Sequence, residues 1–271
     1  MCSRAEGRGK PIITIAGVET SVDTTSWSPV AIRIYEQKKS SKVSYDYRSA
    51  AQLRFEMALR AAIVAASEAL SHSGLRFADF NHALCNTQLW TVTEVGGFRI
   101  RDDSTPAAGI QDIFINGSKY ATECATASSI AVYKGVLDSI PQADFNRLFD
   151  GLVLYDWHVH ENLRLTLKKG IESFPGDLLY FDNPDFSPDT PQWRGENVIK
   201  IDENRYYGHP FGIVSGEAVI AGLNRKRRPD STQSAYLTED VAQPGYEYLS
   251  RFAPDERSAI RARIGNLRFV R

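Results

Sequence analysis

Helical and strand-like segments occupy different halves of this 271-residue chain. The first half contains RSAAQLRFEMALRAAIVAASEALSHSG, in which Leu53, Met57, Ala61 and Val64 recur at three- and four-residue spacing, the pattern of a buried helical stripe. The second half contains GLVLYDW, DLLYFDNP, ENVIKID and NRYYGHPFGIV, which are rich in Val, Ile, Leu and Tyr and predict strands. Because strands and helices do not alternate, the order favours an α+β fold over a repeating βαβ sheet.

The chain shows no internal repeat and no low-complexity linker. Its length suits one large domain or two small ones, and one compact domain over residues 11–271 is the simpler prediction. Residues 1–10 are small or charged and include no aromatic residue, so they predict a disordered N-terminal extension. Ser49 is predicted to cap the long helix and Gly74 to end it.

Charge and cysteine content exclude several classes of function. The formal net charge is −1, which gives no reason to expect nucleic acid or an anionic membrane as a partner. The short basic run NRKRRPD, residues 224–230, ends in Pro-Asp and is better explained as a solvated helix end. No apolar run approaches the ~20 residues that span a bilayer, and the N-terminus lacks a signal-peptide pattern. Three cysteines offer neither a disulfide framework nor a paired metal site, which predicts synthesis in a reducing cytoplasm.

Cys124 stands apart from the other cysteines by its local sequence. It lies in KYATECATASSIAVYKGVLDSIP, residues 119–141, directly after Glu123 and where a helical pattern begins. Unpaired N–H groups at a helix N-terminus carry partial positive charge, stabilise a thiolate and lower its pKa. The residues alone leave two interpretations open for Cys124, a nucleophile or a buried core residue. Cys85, among apolar neighbours in HALCNTQLW, is predicted to be an inert core residue.

A thiol nucleophile needs a base that accepts its proton. The histidine candidates are His72, His82, His158, His160 and His209. The WHVH motif could form a metal pair on one face of a strand, but no third ligand stands at a suitable spacing, so we expect no metal site and no cofactor. Glu196, in QWRGENVIKID, offers a second kind of base if burial raises its pKa. Spacing alone instead favours a surface ion pair between Glu196 and Arg194.

Longer motifs identify a family. The segments ATECATA, VLYDWH, YDYRS, AIVAA and TQSAYL, and above all GDLLYFDNPDFSPDTPQWRGENVI, resemble the bacterial spore-coat transglutaminases, the protein-glutamine γ-glutamyltransferases of Bacillus-type spore formers. The resemblance runs from about Pro11 to the final NLRFVR. It implies a compact papain-like α+β core, with a nucleophilic cysteine at a helix N-terminus that packs on a mostly antiparallel sheet and lies inside a tunnel.

The same resemblance implies the roles of particular residues. Cys124 becomes the nucleophile, Glu196 the base, Glu123 a partial substitute for that base and His209 a histidine close to the site. Phe77 and Trp193 match aromatic residues of the tunnel wall. Two positions depart from the family pattern. Thr122 replaces a bulky aromatic residue before the cysteine, and Pro210 replaces a glycine, so the shape of the tunnel and the substrate preference stay open.

The activity implied is calcium-independent acyl transfer between protein Gln and Lys side chains. Cys124 would attack a γ-carboxamide and form a thioester, and a lysine amine would then form an ε-(γ-glutamyl)lysine cross-link. The expected partners are proteins that bear Gln and Lys, including spore-coat proteins. The expected location is the cytoplasm of the mother cell followed by the spore coat. The alternatives are a papain-type Cys-His amidase or deamidase that uses water, with His209 or His158 as base, and a coat protein that has lost catalysis.

Overall fold

The computed structural model of the protein describes residues 13–254, together with the backbone of residues 261–264 and 267–270. The predicted disordered extension, residues 1–10, lies outside the described residues. The helices of the described part are α1 Pro29–Lys39, α2 Ala50–Ser71, α3 Pro106–Ile115, α4 Cys124–Leu137, α5 Gln142–Leu148, α6 Gly216–Asn224 and α7 Tyr246–Leu249.

Short strands precede the long ones along the chain. Those before residue 160 are β1 Ile13–Ile15, β2 Val18–Glu19, β3 Tyr45–Tyr47, β4 Arg76–Phe77, β5 Trp90–Val92, β6 Phe98–Ile100, β7 Ala121–Thr122 and β8 Val153–Leu154. Those after it are β9 Thr166–Lys169, β10 Leu178–Asp182, β11 Gly195–Asp202, β12 Arg205–Gly208, β13 Gly212–Val214, β14 Tyr236–Gln243, β15 Arg261–Ile264 and β16 Leu267–Val270.

The largest sheet has six strands in the order β13-β12-β11-β10-β14-β9. All five neighbouring pairs in it are antiparallel. The helix α4 packs against β11, an interior strand of this sheet. The prediction of an α+β fold with a mostly antiparallel sheet is therefore confirmed.

The helices α2 and α4 pack against each other in the main core. In α4 every residue except Lys134 is buried, which is typical of a helix covered on all sides. Gly135 makes the close approach of the two helices possible, since a Cβ there would stand 2.5 Å from Cγ1 of Ile63. This packing fixes the position of the N-terminus of α4.

The N-cap of α2 was predicted correctly. The Ser49 side chain accepts a hydrogen bond from the N–H of Gln52, and Ser215 caps α6 by accepting one from Ala218. The helix α1 was missed, because residues 21–47 read as a polar stretch. The signal for it is a serine followed by proline, and Ser28 caps α1 with Pro29 in its first turn, as proline prefers.

A buried group of charged side chains ties α1 and α2 to the turn before β10. Arg60 donates hydrogen bonds to Glu56 at 2.8 Å and to Asp177 at 2.7 Å, and Lys38 donates to Glu56 at 2.6 Å. Burial alone would raise the pKa of Glu56, but Lys38 and Arg60 lower it to about 2. The group is thus internally neutralised, as a buried charge cluster must be.

Within the described residues, no helix is long and apolar enough to cross a membrane.

Candidate active site

Cys124 is the first residue of α4 and is 8% exposed. The strand β7 leads directly into it, and β7 pairs with β4 in parallel, so that Thr122 lies beside Phe77. The chain thus turns from a buried strand into a buried helix at the cysteine. The prediction that Cys124 begins a helix is confirmed.

Glu123 is the N-cap residue of α4. Its carboxylate accepts hydrogen bonds from the N–H of Ala125 at 2.5 Å and of Thr126 at 2.7 Å. Burial raises the pKa of Glu123, and these hydrogen bonds oppose that rise. Two of the N–H groups that we expected to face the sulfur are therefore bonded to a carboxylate instead.

Glu196 lies on β11 and is 1% exposed, so the prediction of a surface ion pair with Arg194 is wrong. The reason is that β11 is buried from its first residue, while Arg194 precedes the strand and is exposed. Burial raises the pKa of Glu196 well above its usual value, although a hydrogen bond from the backbone N–H of His209 opposes the rise. Its Oε1 atom is buried with no hydrogen-bond partner.

Gly208 on β12 provides the space for that carboxylate. A Cβ atom at this position would stand 3.0 Å from Oε1 of Glu196 and 3.3 Å from its Cγ. That separation is tighter than ordinary van der Waals contact, so any larger side chain would press on the carboxylate. The glycine is therefore part of the site although it carries no functional group.

The thiol of Cys124 accepts a hydrogen bond from Nδ2 of Asn197 at 3.3 Å. Burial raises the pKa of the thiol well above its usual value, and the charges of Glu196 and Glu123 raise it further, against the hydrogen bonds from Asn197. The sequence predicted a lowered thiol pKa. That prediction is wrong because the sulfur is buried beside two carboxylates and nearby helical N–H groups are occupied. These surroundings favour the protonated form of the thiol.

His209 follows β12 and is 6% exposed. Burial lowers the pKa of its imidazole, and hydrogen bonds to backbone groups of Arg76 and Thr122 oppose this. Among the described residues, no hydrogen bond joins His209 to Cys124, and Nε2 has no partner. The residues Phe77, Trp193 and His209 do come together, since Phe77 stacks on Trp193 at 5.4 Å between centroids and lies 6.0 Å from the imidazole.

A cavity of about 1070 Å³ reaches Cys124. Glu123 and Asn197 also line it, whereas Glu196, His209, Phe77 and Trp193 do not. The six carboxylates in its wall belong to Asp79, Glu123, Asp156, Asp182, Asp189 and Asp240. The aromatic cluster of Phe77, Trp193 and His209 is therefore not part of the wall of this cavity.

The remaining cysteine and histidine candidates are not among the residues around the sulfur of Cys124. Cys85 is half-buried against the main core, and burial raises the pKa of its thiol to about 11. His158 is exposed and stacks on Tyr155 at 5.3 Å, and Nδ1 of His160 accepts a hydrogen bond from the N–H of Asn162. Across the residues that the structure describes, no group of three His, Cys, Asp or Glu side chains could hold a metal ion.

Asn197 is the site residue that sequence reasoning missed. It is adjacent to Glu196, and the alternation of a strand sends the two side chains to opposite faces. The sequence signal is the polar pair Glu-Asn at the start of an otherwise apolar run, since buried polar side chains require a partner or a function. Together, a protonated thiol, a buried carboxylate of raised pKa and an amide donor beside the sulfur can support nucleophilic attack with proton transfer.

Comparison with known proteins places these residues in a family. The family model described as "Protein-glutamine gamma-glutamyltransferase" matches residues 12–253. Proteins of that name from Halalkalibacterium halodurans and Bacillus subtilis are 41% and 45% identical to this chain. The first match covers 87% of this chain and 83% of the relative, and the second covers 74% and 82%.

Solved structures agree with the sequence comparison. A transglutaminase from Geobacillus stearothermophilus, without its C-terminal extension, superposes with a TM-score of 0.74 at 48% sequence identity. The match covers 77% of this chain and all of that one.

Proposed function

Since the chain belongs to the protein-glutamine gamma-glutamyltransferase family, we propose that it transfers the acyl group of protein glutamine side chains to lysine amines through a thioester on Cys124. The observation that carries this mechanism is the buried thiol at the N-terminus of α4, bonded to Asn197 and influenced by the charges of Glu196 and Glu123. The transferase activity itself follows from the family.

Glu196 acts as the general base in this proposal. A carboxylate of ordinary pKa is a weak base toward a thiol, and burial raises the pKa of the Cys124 thiol further. Burial also raises the pKa of Glu196, which makes it a stronger base than an exposed carboxylate. The sulfur attacks the carboxamide carbon as its proton passes to Glu196, and the same proton then goes to the departing ammonia. Because Oε1 has no hydrogen-bond partner, the carboxylate keeps an atom available for the proton.

Asn197 supports the developing oxyanion. The N–H groups of Ala125 and Thr126 are bonded to Glu123, so they are not free to donate to an oxyanion. We assign this role to Nδ2 of Asn197, which already lies 3.3 Å from the sulfur, and to the N–H of Cys124 itself. Loss of one such donor typically costs about 10²–10³-fold in kcat.

Glu123 substitutes for Glu196 in part. Its charge also raises the pKa of the thiol, so it lies close enough to act on the same proton. Its carboxylate is held by two backbone hydrogen bonds, which makes it a weaker base than Glu196.

His209 positions the site instead of accepting the proton. Its backbone N–H donates a hydrogen bond to Glu196, and burial lowers the pKa of its imidazole.

A set of rates tests these assignments. We expect Glu196→Gln and Glu123→Gln each to leave partial activity in amine incorporation, and the double variant to lose about 10²–10⁴-fold. The effects should not add in free energy, because both groups act on one proton. His209→Ala should cost less than the double change. The assignment fails if His209→Ala is as inactive as Cys124→Ala while the double glutamate variant stays near wild type, which is the result that a Cys-His hydrolase predicts.

Two wider proposals rest on the family resemblance. We propose that the enzyme works without calcium, and activity in excess chelator is the measurement. We also propose that it cross-links spore-coat proteins after synthesis in the mother cell. Fractionation of sporulating cells tests this, because the protein and its cross-linked products should appear together in the coat fraction. Coat fractions free of both would contradict it.

A further inference from the structure

The cavity that ends at Cys124 has an unbalanced charge. Its wall holds six carboxylates, and its basic residue among the described ones is Arg194. Asp79 is paired with His82 and Asp240 with Lys169, but the ion pairs of the described part include none for Asp156, Asp182 or Asp189. Within the described residues, four carboxylates of the wall therefore have no counter-ion: these three and Glu123, which is bonded to backbone N–H groups.

Asn197 provides an independent observation at the inner end of the cavity. Its side chain is part of the wall, it is 7% exposed, and its Nδ2 donates to the sulfur of Cys124. Its Oδ1 is buried with no hydrogen-bond partner. An unpaired buried acceptor is costly, and a ligand that donates a hydrogen bond to it during the reaction would remove that cost.

We propose that this cavity is the entrance for the amine substrate, and that Oδ1 of Asn197 receives an N–H of the attacking lysine nitrogen. The proposal rests on the transfer reaction given above. The two substrates differ in charge, since a glutamine carboxamide is neutral and a lysine side chain arrives as a cation. A cleft lined by one sign of charge attracts the opposite sign and raises its local concentration. Asp156, Asp182 and Asp189 would act in this way on lysine and would leave glutamine unaffected.

Each proton that the lysine nitrogen loses has an acceptor at this end of the cavity. The ammonium group first gives one proton to a carboxylate, for which Glu123 is placed because it lines the same wall. The free amine then attacks the thioester carbon, the C–N bond forms and the C–S bond breaks. The nitrogen loses its second proton to the departing sulfur, which restores the thiol, and the first proton leaves to solvent. Throughout the attack, Asn197 can accept from the nitrogen through Oδ1 and donate through Nδ2.

The charge of the cavity is tested with two amines. The triple variant Asp156→Asn, Asp182→Asn and Asp189→Asn should raise KM for a cationic acetyl-lysine amide by ~1.5- to 5-fold per carboxylate, with compounding. KM for hydroxylamine, which is neutral at pH 7, and KM for the glutamine donor should stay within about twofold. The matched control is a second triple variant, Glu94→Gln, Asp102→Asn and Asp150→Asn, at three exposed carboxylates outside the cavity. It changes the net charge by the same amount and should leave all of these KM values unchanged.

Asn197 is tested by product partition. At a fixed amine concentration, Asn197→Ala should lower the ratio of amide product to hydrolysed glutamate by about tenfold. That ratio is set after the thioester has formed, so it does not depend on how much of the variant is folded. The proposal is overturned if this product ratio is unchanged in Asn197→Ala. It is also overturned if the triple variant raises KM for the glutamine donor and leaves KM for the lysine amide unchanged. Failure of the wild-type enzyme to form any amide would instead refute the proposed function together with this inference.

Discussion

Replacing Glu196 by glutamine should lower activity and raise stability. The variant keeps the shape of the side chain and a carbonyl oxygen that can accept from the N–H of His209. It removes a group that buries a charge whenever it is ionised, at a position that is 1% exposed and in which Oε1 has no partner. A buried unsatisfied polar group costs about 1–3 kcal/mol, and more if it is charged. Since the amide that replaces it is also unsatisfied, we expect a net gain near ~1 kcal/mol, or ~2–4 °C in Tm.

The gain should depend on pH in a defined direction. The pKa of Glu196 is raised in the folded protein above its ordinary 4.5. Between those two pKa values the folded state binds more protons than the unfolded state, so wild-type stability falls as pH rises. Glutamine does not titrate. The difference in the free energy of unfolding between the variant and the wild type should therefore be smallest near pH 4.5 and should grow toward pH 8.

Thermal unfolding at several pH values, combined with amine incorporation by the same samples, measures both effects. Glu94→Gln, an exposed carboxylate outside the cavity, is the matched control and should change neither stability nor rate. Wild-type activity in Glu196→Gln, or a Tm below wild type that drops further as pH rises, would refute the reasoning. Such results would mean that the carboxylate is well stabilised in the fold and takes no proton from the thiol.

Four further predictions follow from the site. Cys124→Ala should abolish amine incorporation in a folded protein, whereas Cys85→Ala should keep the rate and lower only Tm. The reverse pattern would assign the nucleophile to Cys85. Alkylation of Cys124 by iodoacetamide should accelerate with pH, and Glu196→Gln should shift the midpoint to lower pH because a negative charge beside the sulfur is lost; an upward shift would contradict the arrangement. Gly208→Ala should lower kcat while circular dichroism stays unchanged, since its Cβ would stand 3.0 Å from Oε1 of Glu196; an unchanged rate would show that the carboxylate need not keep that position. Excess chelator should leave the rate unchanged, and a loss that added calcium reverses would disprove calcium independence.

Local sequence was enough to predict the main elements of the fold. The spacing of apolar residues located α2, and runs rich in Val, Ile, Leu and Tyr located β10 and β11. The start of α4 at Cys124 was also visible, because the helical pattern begins directly after Glu123. These features depend on backbone propensity and side-chain period within a few residues, so they can be read without knowledge of the partners. The helix α1 was missed because residues 21–47 were interpreted together as a polar stretch, although Ala31, Ile34 and Tyr35 of α1 are buried.

The chemistry of the site was decided by tertiary structure. The bond from Asn197 to the sulfur of Cys124 joins residues 73 apart in sequence, and no local pattern predicts such a contact. The sign of the thiol pKa was wrong for the same reason. A helix N-terminus lowers the pKa of a cysteine when its N–H groups are free and the sulfur meets water, but here the neighbouring Glu123 occupies those groups.

Burial was the other quantity that only the fold could supply. Glu196 and Arg194 are two residues apart, and their sequence is equally compatible with an exposed ion pair and with a buried base. The packing of β11 inside the sheet, between β10 and β12, buries Glu196 and leaves Arg194 in the cavity wall. Sequence fixes which groups can ionise, whereas the protonation state depends on solvent and charges brought close by distant segments. The family motifs determined the reaction class, and the tertiary structure determined which groups surround the reacting sulfur.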